Sequence, residues 1–234
     1  MSAETENIWC VVPASGVGTR MGADRPKQYL KLNGKMVLDW TLEVLIGLSE
    51  VKGIMVGVAE SDEWWPSLSH SRHKKIFTAG GGSARIQTVI NGLSGLRQHW
   101  SAGDYDWVLV HDAVRPCVLS ADIKTLIKAC KASNNGGLLG TVLVDTIKRV
   151  SEQGVVLQTE ARNDLWRAMT PQMFRLGELE SALCNAVSSG IFPTDESAAM
   201  ELRGYQPKMI PGSPLNIKIT LNSDIKLAES ILET

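Results

Sequence analysis

Apolar and polar positions along the chain follow two alternating periods. Ile8–Pro13 is a short continuous apolar run that stops at a glycine-rich turn. That is the form of a strand buried on both faces and feeding a helix. Residues 36–48 then carry Val37, Leu38, Leu42, Val44, Leu45 and Leu48 at largely helical spacing. The succession repeats, with strand-like runs at 53–59, 76–78, 107–111 and 138–144. Helical patterns cover 84–100, through Ile86, Val89, Ile90, Leu93 and Leu96, and 121–132. Strand and helix in this rhythm predict an α/β protein whose mostly parallel sheet is flanked by helices on both faces.

The rhythm breaks after Val144. Residues 146–159 mix charges with β-branched side chains around Glu152-Gln153-Gly154, a hairpin signal. The segment at about 145–162 is therefore expected to leave the main sheet as a protruding β-arm, although an ordinary surface hairpin has the same pattern. Beyond it lie helical patterns near 176–188, 195–203 and 224–232, a strand near 207–210 and a β-like stretch at 216–220. No repeat or linker divides the chain, so residues 1–234 are expected to form one domain.

Composition narrows the function classes. The chain has 234 residues, 44% of them apolar and 21% charged, and a net charge of -1. No global basic excess points to nucleic acid, so a polyanionic partner has to be met by a local basic site. Cys10, Cys117, Cys130 and Cys184 are scattered, with no Cys-x-x-Cys pair. They fit reduced thiols in a cytoplasmic protein better than a disulfide framework or a zinc site. No run of about 18 apolar residues suggests a membrane span. The polar first seven residues lack the apolar region of a secretion signal and are expected to be a short lead-in.

Candidate chemistry falls into four groups. The first is Pro13-Ala14-Ser15-Gly16-Val17-Gly18-Thr19-Arg20-Met21-Gly22 with Pro26-Lys27 after it. Gly16 and Gly18 let backbone N–H groups approach a phosphate, while Arg20 and Lys27 add cations. A bare Gly-x-Gly is as often a plain tight turn; Thr-Arg-Met and the trailing Pro-Lys sharpen the signal. The second is Gly80-Gly81-Gly82-Ser83-Ala84-Arg85 with Thr88 one turn on, a second backbone surface for a nucleotide or simply a loop with Ser83 as helix N-cap. The third is His111-Asp112-Ala113-Val114-Arg115-Pro116 after a strong strand. Asp112 stands where ligands bind in open α/β sheets and suits Mg²⁺, although an Asp112–Arg115 pair is the plainer reading. His111 is expected to be a satisfied core histidine. The last group is dispersed: Asp145-Thr146-Ile147-Lys148, Arg162-Asn163, Thr170-Pro171-Gln172, Thr194-Asp195-Glu196-Ser197 and Asn216-Ile217-Lys218-Ile219-Thr220. Each alone reads as a cap, a turn or a solvated charge.

In this order, the motifs from Pro-Ala-x-Gly-x-Gly-Thr-Arg-Met to Asn-Ile-Lys-x-Thr resemble those of the 2-C-methyl-D-erythritol 4-phosphate cytidylyltransferases, over nearly the whole chain. The resemblance implies a Rossmann-like nucleotidyltransferase fold, a homodimer that exchanges arms, CTP as nucleotide, Mg²⁺ as cofactor and a small phosphorylated polyol as acceptor. It implies that Ala14, Gly16 and Gly82 line the cytidine pocket, with Ser15, Gly18, Ser83 and Thr88 beside them. Arg20 and Lys27 would hold the triphosphate, Asp112 the metal and Lys218 the charge at the α-phosphate. Thr146, Arg162 and Thr194 would contact the acceptor with Arg115 close by, Thr146 and Arg162 coming from the other chain. Three positions depart from the family pattern: Ser15 where alanine is common, Ser83 where an acidic residue is frequent, and Thr88 for serine. The segment Ser197-Ala198-Ala199-Met200 also departs slightly from the usual Ala-Ser-Ala-Leu. Rival readings are a ribitol-5-phosphate cytidylyltransferase, a sugar-phosphate nucleotidyltransferase using UTP or GTP, and a non-catalytic nucleotide-binding protein on the same fold.

Overall fold

The computed structural model describes residues 6–16 and 25–233. Seven strands form the central sheet. In spatial order they are β11 (Lys208–Pro211), β7 (Gly137–Val142), β10 (Trp166–Arg175), β6 (Trp107–Val110), β1 (Ile8–Pro13), β4 (Val51–Val58) and β5 (Ile76–Gly80). All run parallel except β10, which pairs antiparallel with both β6 and β7.

The continuous apolar runs follow from burial on both faces. In β1, Ile8, Cys10 and Val12 enter a core layer shared with Leu38, Leu42 and Leu45 of α1 (Val37–Ile46) and with Ile123 and Leu126 of α3 (Ser120–Ser133). Trp9 and Val11 point the other way, into a layer with Val89 and Leu93 of α2 (Arg85–Trp100) and Leu179 and Leu183 of α4 (Leu176–Ser188). β6 splits likewise, Trp107 and Leu109 to the first layer and Val108 and Val110 to the second. With successive side chains on opposite faces, a strand covered on both sides has no polar position to alternate. Among the described residues two further α-helices follow, α5 (Glu196–Leu202) against α4 and α6 (Asn222–Leu232) beside a small hairpin of β2 (Lys31–Leu32) and β3 (Lys35–Met36). Among the described residues no helix is long and apolar enough to cross a membrane.

The expected elements appear to within a few residues, and the arm is a two-stranded hairpin, β8 (Lys148–Val150) with β9 (Val156–Thr159), turning at Gly154 with φ +80°. Two expectations need correction, and one element was not expected. Residues 166–175, where Thr170-Pro171-Gln172 was expected to close the arm, form the long reversed strand β10. Its register shifts between Ala168 and Gln172, which admits a proline that cannot donate to a ladder. Its buried polar Thr170 and Gln172 hide the strand pattern. Residues 216–220 form no strand; Ile219 N–H donating to Val114 O, at 2.9 Å, is a backbone tether of this segment. The β2–β3 hairpin went unrecognised although its Asn33-Gly34 turn, with both φ positive, is a strong hairpin signal.

His111, fully buried past the end of β6, joins that strand to β10. Its Nε2 lies 3.2 Å from Arg115 O and its Nδ1 2.9 Å from Thr170 Oγ1. A carbonyl can only accept, so Nε2 carries the proton and Nδ1 accepts from the threonine hydroxyl. Thr170 Oγ1 in turn accepts the Asp112 N–H at 3.0 Å. The expectation of a satisfied core histidine holds. Burial pushes the His111 pKa down to about 4, below the unfolded value of about 6.5. The unfolded chain therefore binds the extra proton between those two values, and stability falls as pH falls through that window. The wild-type chain is expected to lose about 2 kcal/mol of urea-unfolding stability at this site between pH 7 and pH 5. His111→Gln should lose correspondingly less over the same range. Equal losses in the two chains would contradict the assignment.

Candidate active site

Two backbone loops meet at the carboxyl ends of β1, β4 and β5. Ala14, just past β1, donates its N–H to Gly57 O at 2.8 Å. Buried Gln28 clamps the loop that follows, its Nε2 donating to Ala14 O at 2.6 Å and to Gly16 O at 3.1 Å. Gln28 belongs to a 3₁₀ turn opened by Lys27, so the clamp ties Lys27 to this loop. Gly18 and Arg20, expected in the site, lie outside the described residues.

The second loop leaves β5. Gly81 N–H donates to Val58 O at 2.6 Å, and Gly82 N–H to Thr88 Oγ1 at 3.0 Å. Thr88 Oγ1 also shares a 2.8 Å hydrogen bond with Ser15 Oγ, which locks the loops together. A Cβ on Gly81 would stand 2.3 Å from Ser15 Cβ, so only glycine allows this approach. Ser15 and Thr88, two of the departures noted above, thus form one matched pair. Ser83 is exposed beside them and is not the cap of α2, whose N-cap is Ala84 with no side-chain hydrogen bond. The Thr194–Ser197 segment does start a helix, α5. Asp195 caps it, accepting from Ala198 N–H at 2.9 Å.

Asp112 is the centre of charge. Its Oδ1 lies 3.2 Å from Arg85 Nε, and its Oδ2 lies 2.9 Å from Lys218 Nζ and 3.3 Å from Arg115 Nε. Burial alone would raise its pKa, but Arg85, Lys218 and Arg115 overcome that and hold the carboxyl well below the usual range. The Asp112–Arg115 pair of the plainer reading is present as one part of this cluster. Arg85 is also fastened to Glu196, NH1 to Oε1 at 2.6 Å and NH2 to Oε2 at 3.1 Å. Burial favours the neutral guanidine, and Glu196 and Asp112 outweigh it to raise the Arg85 pKa above its ordinary value. Arg115 donates through NH1 to Asn216 O at 2.8 Å, and Asn216 Nδ2 donates to Thr170 O at 2.8 Å. These bonds fix the segment that carries Lys218 against β10.

Arg85, Asp112, Arg115, Thr170, Thr194 and Lys218 line a recess of about 170 Å³. The fold therefore gathers Asp112 and Arg115, Thr194, and Lys218 from three separate stretches. It does not bring Thr146 or Arg162 of the same chain to this recess. Both are exposed at the base of the arm, where Arg162 donates to Val144 O. Sequence reasoning gave no role to Gln28, Arg85, Thr170, Glu196 or Asn216. Arg85, Thr170, Glu196 and Asn216 lay inside the quoted segments and Gln28 just past one, which was the only signal for them.

Comparison with known proteins identifies the family. Residues 8–234 match the family model described as 2-C-methyl-D-erythritol 4-phosphate cytidylyltransferase. Curated relatives of that name include one from Hahella chejuensis, 44% identical over 99% of this chain and 95% of its own. Another, from Mannheimia succiniciproducens, is 44% identical over 99% of both chains. The crystal structure of the Francisella tularensis protein of that name superposes with a TM-score of 0.84 at 37% identity, covering 97% of this chain and all of that one. With the motifs, the sheet and the full-length similarity in agreement, this chain belongs to the 2-C-methyl-D-erythritol 4-phosphate cytidylyltransferase family.

Proposed function

We infer that this chain transfers CMP from CTP to 2-C-methyl-D-erythritol 4-phosphate, releasing pyrophosphate and forming 4-diphosphocytidyl-2-C-methyl-D-erythritol for non-mevalonate isoprenoid synthesis. The observation that carries the reading is the ionised Asp112 with its three cations, set beside the interlocked glycine loops. The family membership supplies the substrates' names.

The acceptor phosphate is the nucleophile. A phosphate monoester has a second pKa near about 6, so it is largely a dianion at neutral pH and needs no protein base. One of its oxygens attacks the α-phosphorus in line, forming the new P–O bond as the bond to pyrophosphate breaks. The protein's task is to hold two polyanions together and to stabilise charge at the α-phosphate. Lys218 serves the α-phosphate, and Lys27 and Arg20 serve the triphosphate. Ala14, Ser15, Gly16, Gly18, Gly82, Ser83 and Thr88 frame the cytidine. Arg115 and Thr194 hold the acceptor.

The donor set fits Mg²⁺, which takes one or two carboxylates and completes its shell with substrate phosphates and water. Asp112 stays ionised, and Lys218, with 38% of its side chain exposed, has more room to leave the carboxylate than Arg85 at 30% or Arg115 at 10%. Asp112 would hold the ion, which neutralises triphosphate charge when bound.

The arm supports a homodimer. Val150, Val155, Val156 and Leu157 are exposed on a two-stranded hairpin, an element too thin to bury them itself. In an arm-exchanged pair, Thr146 and Arg162 reach the acceptor of the other subunit. A cytoplasmic location fits the four free cysteines.

Pyrophosphate release with Mg²⁺ and CTP is expected with methylerythritol 4-phosphate and little with ribitol 5-phosphate. The reverse preference would keep the chemistry and change the pathway, while CTP binding without release under either condition would support the binding-only reading. Lys27→Ala and Lys218→Ala should each lower kcat by about 10²-fold, roughly 3 kcal/mol. A raised KM at unchanged kcat would refute those roles. Acceptor kcat/KM should fall tenfold per unit below about pH 6, as the acceptor gains a proton. Asp112 titrates too low to set that limb. In sedimentation the chain should run as a dimer. Val156→Asp/Leu157→Asp should run as a monomer with a raised acceptor KM, and a fully active monomer would remove the arm from the site.

A further inference from the structure

Arg85 makes three directed bonds that no substrate role requires. Its Nε meets Asp112 Oδ1, and its two terminal nitrogens grip both oxygens of Glu196. Glu196 is 1% exposed and opens α5. Two residues before it stands Thr194, on the rim of the recess.

The two helices joined by this pair are anchored differently. The start of α2 has fastenings of its own: Thr88 Oγ1 holds Gly82 and Ser15, and Thr88 Cγ2 packs over Gly57, where an added Cβ would come within 2.3 Å. The start of α5 is held elsewhere, towards β10 and α4. Gln172 holds Asp195 Oδ2 at 2.9 Å and Ser197 N–H at 2.7 Å, both towards β10. Arg85 is what ties α5 to Asp112. A planar guanidinium can hold two carboxylates at a fixed spacing, which a point charge cannot.

We propose that Arg85, clamped by Glu196, is a positioning residue of the acceptor pocket, fixing the Thr194 end of α5 relative to Asp112. Its effect on acceptor use is separable from nucleotide binding, because the loops that frame the nucleotide keep their own anchors. The proposal rests on the cytidylyl-transfer reading.

The test has to separate positioning from mere support. Replacing a buried ion pair by apolar side chains of similar size is often neutral for stability. The double variant Arg85→Met/Glu196→Met removes the clamp and leaves Asp112 with Arg115 and Lys218. It should keep its Tm within about 5 °C of wild type. Acceptor kcat/KM should fall about 10²-fold, as for a reacting group misplaced by about 1 Å. The Kd for CTP, measured by calorimetry without acceptor, should stay within about threefold, under 1 kcal/mol. Arg85→Lys retains a charge on Asp112 and loses the fork, so it should show the same selective loss; it serves if the double variant fails to fold. A stable double variant with wild-type kcat/KM would reduce the clamp to support. A parallel fall in CTP affinity would place Arg85 in the nucleotide pocket instead. Either result, or a fully active Arg85→Lys, overturns the proposal. Wild-type protein that releases no pyrophosphate in the same assay would overturn the functional reading and not this one.

Discussion

Burying a carboxylate costs several kcal/mol unless opposite charge meets it, and Asp112 is 6% exposed at the end of β6. The need to compensate that charge organises the surrounding chain. Arg85 comes from the start of α2, Arg115 from the turn after β6, and Lys218 from the segment before α6. Each brings further partners: Glu196 through Arg85, and Asn216 through Arg115. Segments with no sequence proximity thus share one electrostatic obligation. Removing the carboxylate alone would leave three crowded cations, so the cluster has to be conserved or redesigned as a unit.

The sheet decides where that obligation falls. Parallel strands deliver their carboxyl ends, and the loops after them, to one edge. The reversed strand β10 lies between β6 and β7 and returns Thr170 and Gln172 to the same edge from the opposite direction. Thr170 Oγ1 accepts the Asp112 N–H and donates its proton to His111 Nδ1, while Gln172 holds the start of α5. A strand running the usual way would present its other end here.

Much of this frame was legible in the sequence. β1, β4 and β6 stand out because two-faced burial leaves them uniformly apolar, and the glycine loops because their motifs are dense. β10 was hidden for the opposite reason: its inward positions Thr170 and Gln172 are polar since they serve the site, and Pro171 reads as a turn. The resemblance supplied residue names without geometry. Nothing in a linear reading joins Arg85 to Glu196, 111 positions away, or Gln28 to the carbonyls it clamps. The plain reading of Ser83 as a cap failed because α2 begins one residue later, without a side-chain cap.

The arm leaves from the end of β7 and re-enters at the start of β10, and those two strands are neighbours in one antiparallel ladder. It is thus an extension of a hairpin whose base is already closed by the sheet. Lengthening, shortening or replacing residues 143–165 alters no strand order and no register at the nucleotide loops. The arm can therefore change in length or sequence across a lineage, or be exchanged in the laboratory, while the sheet and the loops at its carboxyl edge stay as they are.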